Sequence, residues 1–244
     1  MWKVLTFLRR NPVMTPDEFV RYWHDVHAPL MQQQEDFWRH VRKYVQNSTL
    51  EPEAHLDGPD AYDGVSELWF DSADELRAAF DEPGFAIVRE DAKNFVALSG
   101  SMSWAAEVVP IKDPGPTAIK IFAAGRVKEG LAREEAQEYW RDEHSRLAER
   151  EAPVLWSMIP RSVQNHTRRV EGLALETLTD EYDFAAEVGC DSVEAMQAAF
   201  ARPEYMEIIR PDELRFASAD DTLRVVTREA VLYESISSDN QTTV

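Results

Sequence analysis

Tyr22-Trp23-His24-Asp25-Val26-His27-Ala28-Pro29-Leu30 recurs half a chain later as Tyr139-Trp140-Arg141-Asp142-Glu143-His144-Ser145-Arg146-Leu147, with Tyr, Trp, Asp, His and Leu in the same places. A repeat this far apart in a 244-residue chain is one folded unit built twice, because solenoid repeats are much shorter. Each copy also puts a histidine where helical periodicity wants a hydrophobe.

The likeness extends in both directions from this stretch. Val45-Gln46-Asn47 matches Val163-Gln164-Asn165, Tyr62-Asp63 matches Tyr182-Asp183, and Ser72 through Phe80 matches Ser192 through Phe200. Phe95 matches Phe216, and Glu107 is matched to Glu229. The offset drifts slowly, as it does when small insertions fall in loops. Ile111-Lys112-Asp113-Pro114-Gly115-Pro116-Thr117 is a stiff, non-helical connector. The expected organisation is repeat 1 over 1–112, repeat 2 over 117–234 and a disordered tail over 235–244.

Forty-four per cent hydrophobic and 29% charged residues suffice for a core and a solvated surface. No apolar run approaches a membrane span, and the first ten residues are too short and too charged for a secretory signal. Cys190 is the only cysteine, which removes an intrachain disulfide and a cysteine-rich metal site. A cytoplasmic protein is expected. A net charge of −19 argues against nucleic acid and anionic membrane as partners and favours a neutral, apolar small molecule.

Residues 2–9 and 118–124 are short and β-rich. Thr15-Pro16-Asp17-Glu18 opens a helix, with Thr15 as cap and Pro16 in the first turn. Phe19, Tyr22, Trp23, Val26, His27 and Leu30 then form one apolar stripe, and Pro29 marks the helix end. Strands follow at Tyr44–Asn47 and Gly64–Phe70, a capped helix at Ser72–Phe80, a further helical segment around Phe85–Phe95, and a strand through Trp104–Val109. This is β-α-β-β-α-β, an α+β ferredoxin-like unit with helices on one sheet face. Strands Val4–Phe7 and Ile119–Phe122 are apolar on both faces, as sheets covered on both sides are. Two units in one chain can cover each other, so an intramolecular barrel and a monomer-competent chain are expected, with homo-oligomers through other surfaces left open.

Met14-Thr15-Pro16-Asp17-Glu18-Phe19, Tyr22-Trp23, His27-Ala28-Pro29-Leu30 and Tyr44-Val45-Gln46-Asn47 resemble the EthD-like family of the dimeric α+β barrel superfamily. Both halves carry the resemblance. It implies that the two repeats form the barrel that separate subunits form elsewhere. Related proteins include cyclases, isomerases, dehydratases and oxygenases. The second copy departs from the pattern at Ala136, Ser145 and Arg146, which draws attention to the first copy's site.

His27 shares a helix face with Phe19, Tyr22, Trp23 and Leu30. Burial disfavours its charged form while a helix C-terminus favours it, and a histidine balanced so can move protons near neutrality. His27, Tyr22 and Asn47 are the candidate catalytic residues, and Trp23, Phe19, Leu30, His144, Tyr139 and Asn165 the candidate substrate-binding ones. Gln46 and Asn47 face opposite sides of a strand, and Asn47 is chosen, with Asn165, because an amide beside a histidine can hold a substrate oxygen. Asp25 and Asp142 fall off the stripe and read as solvated groups. Val26→Glu143 and Phe19→Ala136 break the stripe of the second helix, so copy one is read as the ligand pocket and copy two as its scaffold.

No phosphate loop, nucleophile elbow, zinc-protease motif or metal-ligand set is present, and neither cofactor nor metal is expected. The expected function is a cofactor-independent lyase, cyclase or isomerase acting on a hydrophobic aromatic or polyketide-like molecule. Two alternatives stand beside it. One is a non-catalytic carrier of an apolar metabolite. The other is a haem- or oxygen-dependent oxidoreductase, suggested by the family resemblance.

Overall fold

The computed structural model describes residues 1–50, 62–219 and 222–235. Repeat 1 runs β1 (Trp2–Leu8), α1 (Pro16–Tyr22), a π turn (Trp23–His27), α2 (Ala28–Gln32), α3 (Glu35–Trp38), β2 (Lys43–Thr49), β3 (Gly64–Phe70), α4 (Ala73–Asp81), α5 (Pro83–Ala92) and β4 (Met102–Lys112). Repeat 2 runs β5 (Ile119–Gly125), α6 (Arg133–Tyr139), a π turn (Trp140–His144), α7 (Ser145–Glu151), α8 (Pro153–Met158), β6 (Arg161–Thr167), β7 (Phe184–Cys190), α9 (Val193–Phe200), a third π turn (Tyr205–Ile209), α10 (Arg210–Phe216) and β8 (Leu223–Glu234). Thr15 caps α1 in a full capping box with Glu18, as its sequence dictates.

The eight strands close into one antiparallel barrel in the order β1-β3-β2-β8-β5-β7-β6-β4. This is the α+β, dimeric-type barrel expected, formed within one chain. The seams between repeats are β2 on β8 and β4 on β6. These last strands are longer than the sequence suggests because each pairs with its own repeat on one edge and with the other repeat on the opposite edge. Ser235 is paired, its N–H donating to Arg42 O at 2.8 Å. The rest of the expected tail lies outside the described residues. Among the described residues no helix is long and apolar enough to cross a membrane.

One expected match is displaced by a residue. Lys3 faces Ala106 across β1–β4, and its counterpart Lys120 faces Thr227 across β5–β8. Val108, not Glu107, therefore occupies the place of Glu229. A one-residue slip exchanges the two faces of a strand. Glu107 lies outside with Arg168 at 3.1 Å, whereas Glu229 lies inside with Lys120 at 2.9 Å and Arg161 at 3.0 Å.

The two sheet faces hold different cores. Outside, under the helices of repeat 1, Val4, Met31, Phe37, Tyr44, Phe70, Leu76 and Val88 pack together. Inside, Leu5, Phe7, Val65, Trp104, Phe122 and Val225 fill one part of the barrel. The remainder of the interior is charged. Lys3 and Lys120 meet Glu67 and Glu187, with no side-chain exposure on any of the four. Burial pushes the Glu67 carboxyl up, but Lys120 and Lys3 outweigh it and hold it well below its ordinary range. Burial opposes the charge on Lys120, yet its three glutamates raise it above an ordinary lysine. Asn47 and Asn165 join this cluster through 3.0 and 2.8 Å bonds to Glu67 and Glu187.

Candidate active site between helix and sheet in repeat 1

The helix carrying the repeated motif does not end at Pro29. It widens to a π turn at Trp23–His27 and resumes as α2, with Pro29 in the first turn, where a missing N–H costs little. The Ala28 N–H closes the π turn on the Trp23 carbonyl. Gln46, on the adjacent strand, donates to that same carbonyl at 2.9 Å and to the Tyr44 hydroxyl at 2.9 Å. Trp23 Nε1 also donates to Tyr44 at 3.0 Å. Repeat 2 builds the same device: Gln164 donates to the Trp140 carbonyl at 3.0 Å. Such π insertions are frequent at functional sites.

The insertion changes which residues face inward. Val26, placed on the apolar stripe by 3.6-residue periodicity, is exposed, while Ala28 and Met31 are buried. Leu30 packs at the edge of the core, and Met31 takes the place at the cavity that the sequence assigns to Leu30. His27 is turned fully inward and is 5% exposed.

Asp91, near the end of α5, holds His27. Its Oδ2 accepts from His27 Nδ1 at 2.7 Å, and its Oδ1 accepts from the Tyr22 hydroxyl at 2.8 Å. Asn94 donates to the Tyr22 hydroxyl at 3.1 Å and to Asp91 at 3.2 Å. Phe95 packs on the imidazole with ring centres 4.8 Å apart. Burial lowers the His27 pKa and the contact with Asp91 raises it; burial wins, and the ring stays below its ordinary value. Near neutrality His27 is thus uncharged, with Nδ1–H committed to Asp91 and Nε2 left as the basic nitrogen. Burial and Asp91 together raise the Tyr22 hydroxyl, which keeps its proton.

A cavity of about 120 Å³ adjoins the ring. Trp23, His27 and Met31 line it from the helix, Tyr44 and Ser66 from the sheet, and Phe85, Val88 and Phe95 from α5 and the turn after it. Leu175, Glu176 and Thr177 of repeat 2 complete it. The space accommodates one aromatic ring, since an apolar cavity of about 150 Å³ holds benzene. A tetrapyrrole does not fit, so no step is assigned to a haem here. Among the described residues no cluster of three or more His, Cys, Asp or Glu could hold a metal ion.

Repeat 2 reproduces the polar arrangement. Asp212 accepts from His144 Nδ1 at 2.8 Å and from the Tyr139 hydroxyl at 2.7 Å. Burial pushes Asp212 up, but those two bonds hold it below its usual range, and Tyr139 rises to about 12. His166 stacks on Trp140 and sits at Gln164 Oε1, 2.9 Å away.

The residues chosen from the sequence are thus divided among four places. His27 and Trp23 line the cavity. Tyr22 lies behind His27, at Asp91, and does not line it; Phe19 packs on Trp23 and Phe95. Asn47 and Asn165 are on the opposite sheet face, inside the barrel, so the choice of Asn47 over Gln46 is corrected. Strand alternation sends Gln46 to the helix side, where it fixes the π turn. His144 and Tyr139 form their own pair in repeat 2, away from this cavity. Asp91 was missed because it ends the charged run Arg89-Glu90-Asp91, which reads as solvated surface. The signal was present in the repeat: the offset that joins Phe95 to Phe216 also joins Asp91 to Asp212.

The EthD domain matches residues 11–99 and 128–220, and the chain belongs to the EthD family. No protein of curated function matches it. Among solved structures, an anthrone oxidase-like protein superposes with a TM-score of 0.63 at 10% identity, covering 97% of this chain and 95% of that one. A mutant chlorite dismutase from Candidatus Nitrospira defluvii gives 0.52 at 10% identity, with 93% and 90% covered. A provisionally named monooxygenase from Lactobacillus acidophilus NCFM gives 0.50 at 10% identity, with 95% and 98% covered. At this identity the likeness establishes the fold. The neighbours' names nevertheless belong to oxidation–reduction chemistry, and they overturn the expected cofactor-independent lyase, cyclase or isomerase in favour of the oxidoreductase alternative.

Proposed function

We propose that this protein is an oxidoreductase that uses dioxygen to oxidise an electron-rich, single-ring aromatic of the phenol class, with His27 as general base. The observation that carries the reading is the neutral His27, held through Nδ1 by Asp91 beside a mostly apolar cavity. That arrangement suits removal of a proton from a weakly acidic C–H or O–H, which general-base catalysis accelerates by about 10²–10⁴-fold. The name of the anthrone oxidase-like neighbour supports oxidation of an electron-rich aromatic.

For a phenol, Nε2 of His27 takes the hydroxyl proton and leaves a phenolate with carbanion character at the ring carbon para to the oxygen. This carbanion is the reductant. Dioxygen adds to that carbon, whose hydrogen is lost as the O–O bond breaks. One oxygen atom remains as the new quinone carbonyl and the other leaves as water with both hydrogens. The ring gives up four electrons and dioxygen receives four. Asp91 holds the imidazole in the tautomer that leaves Nε2 free, and Tyr22 holds Asp91. The apolar walls strengthen the few polar contacts by excluding water.

The test is oxygen uptake with single-ring phenols, read alongside quinone absorbance. Uptake that vanishes in a folded His27→Ala protein is expected. No uptake from any of these substrates, or full activity without the imidazole, overturns the proposal.

A further inference from the structure

We infer that the segment linking β6 to β7 in repeat 2 is the specificity-determining wall of the repeat 1 pocket, and that it selects ligands by ring count through Leu175. The inference rests on the proposed site and adds to it the part played by the second repeat.

This arm crosses the seam between repeats and is built into the first one. Arg168 N–H donates to Ala105 O at 2.9 Å, Ser103 N–H to Thr177 O at 2.7 Å, and Thr179 N–H to Ser103 O at 2.9 Å. The Ser103 hydroxyl binds the Thr177 hydroxyl at 2.7 Å and Thr6 at 2.9 Å. Gly172 takes φ +82°, where a side chain is strained, and turns the chain back toward repeat 1. Leu173 is then buried in the core under repeat 1's helices, with Val170 and Leu175 packed beside it. An arm fastened by backbone bonds on one side and a buried leucine on the other is fixed in register. Leu175 and Thr177 are therefore presented to the cavity by a rigid element.

Leu175 is the part of that wall with room to vary. It is partly buried, its neighbour Leu173 supplies the anchoring, and it faces a space that holds about one ring. A two- or three-ring ligand must occupy volume now filled, and Val4, Trp23, Tyr44, Leu68 and Val88 on the sheet and helix walls are buried core, whereas Leu175 is not. One side chain on a single wall thus sets the size limit, in the way hydrophobic pockets discriminate by added carbon atoms, at roughly 10–200-fold per group.

The experiment measures binding of phenol, 1-naphthol and anthrone to the full chain by calorimetry under anaerobic conditions, so no turnover occurs. Leu175→Ala is expected to tighten naphthol and anthrone at least about tenfold relative to phenol, and Leu175→Trp to weaken all three, anthrone most. A shared, ring-independent change in both variants, or no change, with the fold intact by circular dichroism, overturns the inference. Leu173→Ala serves as the reference for mere loosening of the arm, which moves the thermal midpoint and affects the three ligands alike. Because no oxidation is read, an inactive protein whose ring preference follows Leu175 sinks the proposed reaction alone. An active oxidase whose preference ignores Leu175 sinks this inference alone.

Discussion

Lys120 of the second repeat donates to Glu67 of the first at 2.5 Å in the barrel interior, where neither side chain has any exposure. The contact crosses the pseudo-two-fold relation of the chain, since Lys3 of the first repeat reaches Glu187 of the second in return. Removing one member leaves a buried charge with too few partners, which typically costs about 3–5 kcal/mol. Lys120→Met and Glu67→Gln should each destabilise the protein by that order in urea unfolding. The double variant should cost less than the sum, because the remaining interior charges stay paired. Single variants within about 1 kcal/mol of the parent would show that the cluster contributes nothing net.

Asp91→Asn leaves the cavity lining intact and removes the carboxylate that orients His27. The expected result is a loss in kcat/KM of about 10²–10⁴-fold against the preferred aromatic. His27 has its pKa lowered, so the parent's kcat/KM should rise with pH through a point below about 6.5 and then remain flat. Asp91 acts upward on that value, so its replacement should move the limb to still lower pH. An unchanged rate and an unchanged limb would remove Asp91 from the mechanism.

The π turn yields a separate test at Gln46. Gln46→Leu removes the donor to the Trp23 carbonyl and to Tyr44. Loss of these bonds should cost about 1 kcal/mol of stability. A larger effect should fall on kcat/KM, because a turn relaxed to α geometry rotates His27 away from Asp91. Stability and activity falling in proportion would show that Gln46 is only a packing residue.

These residues also show how far the sequence can be read. The repeat, the capping box and the strand pattern are local or periodic signals, and they specify the barrel because each repeat leaves a sheet face to cover. Gly64–Phe70 was placed to the residue. The π turns have no compositional mark, so 3.6-residue periodicity put Val26 and Leu30 where Ala28 and Met31 belong. The interior charges were hidden by strand context: Lys3 and Glu67 look like ordinary edge polar residues until the barrel closes around them. Their recurrence as Lys120 and Glu187 was the available sign. Asp91 was legible only by carrying the repeat register into a helix whose surface is otherwise charged.

His166 should make the fold acid-sensitive above the range of ordinary carboxylates. Burial, followed by Arg168 and Arg141, lowers its pKa to about 4. The folded state therefore resists protonation while the unfolded chain accepts it near 6.5. The unfolded state binds more protons between those values, so stability is complete above about 6.5 and falls as pH drops toward about 4, by at most about 3 kcal/mol. Urea midpoints measured across this window should fall less steeply in His166→Gln. Parallel pH profiles for the two proteins would show that other groups carry the acid transition.

Breaking the chain within Pro114–Pro116 tests the barrel itself. The cut spares every strand, since β4 ends at Lys112 and β5 begins at Ile119. What each half loses is its partner: β2 loses β8, β4 loses β6, and the interior lysines and glutamates lose their cross-repeat contacts. Unpaired strand edges and uncompensated buried charge both drive association or insolubility. Fragments produced separately should aggregate, and fragments produced together should form a one-to-one complex that sediments like the intact chain. Two soluble halves that fold alone and ignore each other would show that neither the β2–β8 and β4–β6 seams nor the interior ion pairs hold the repeats together.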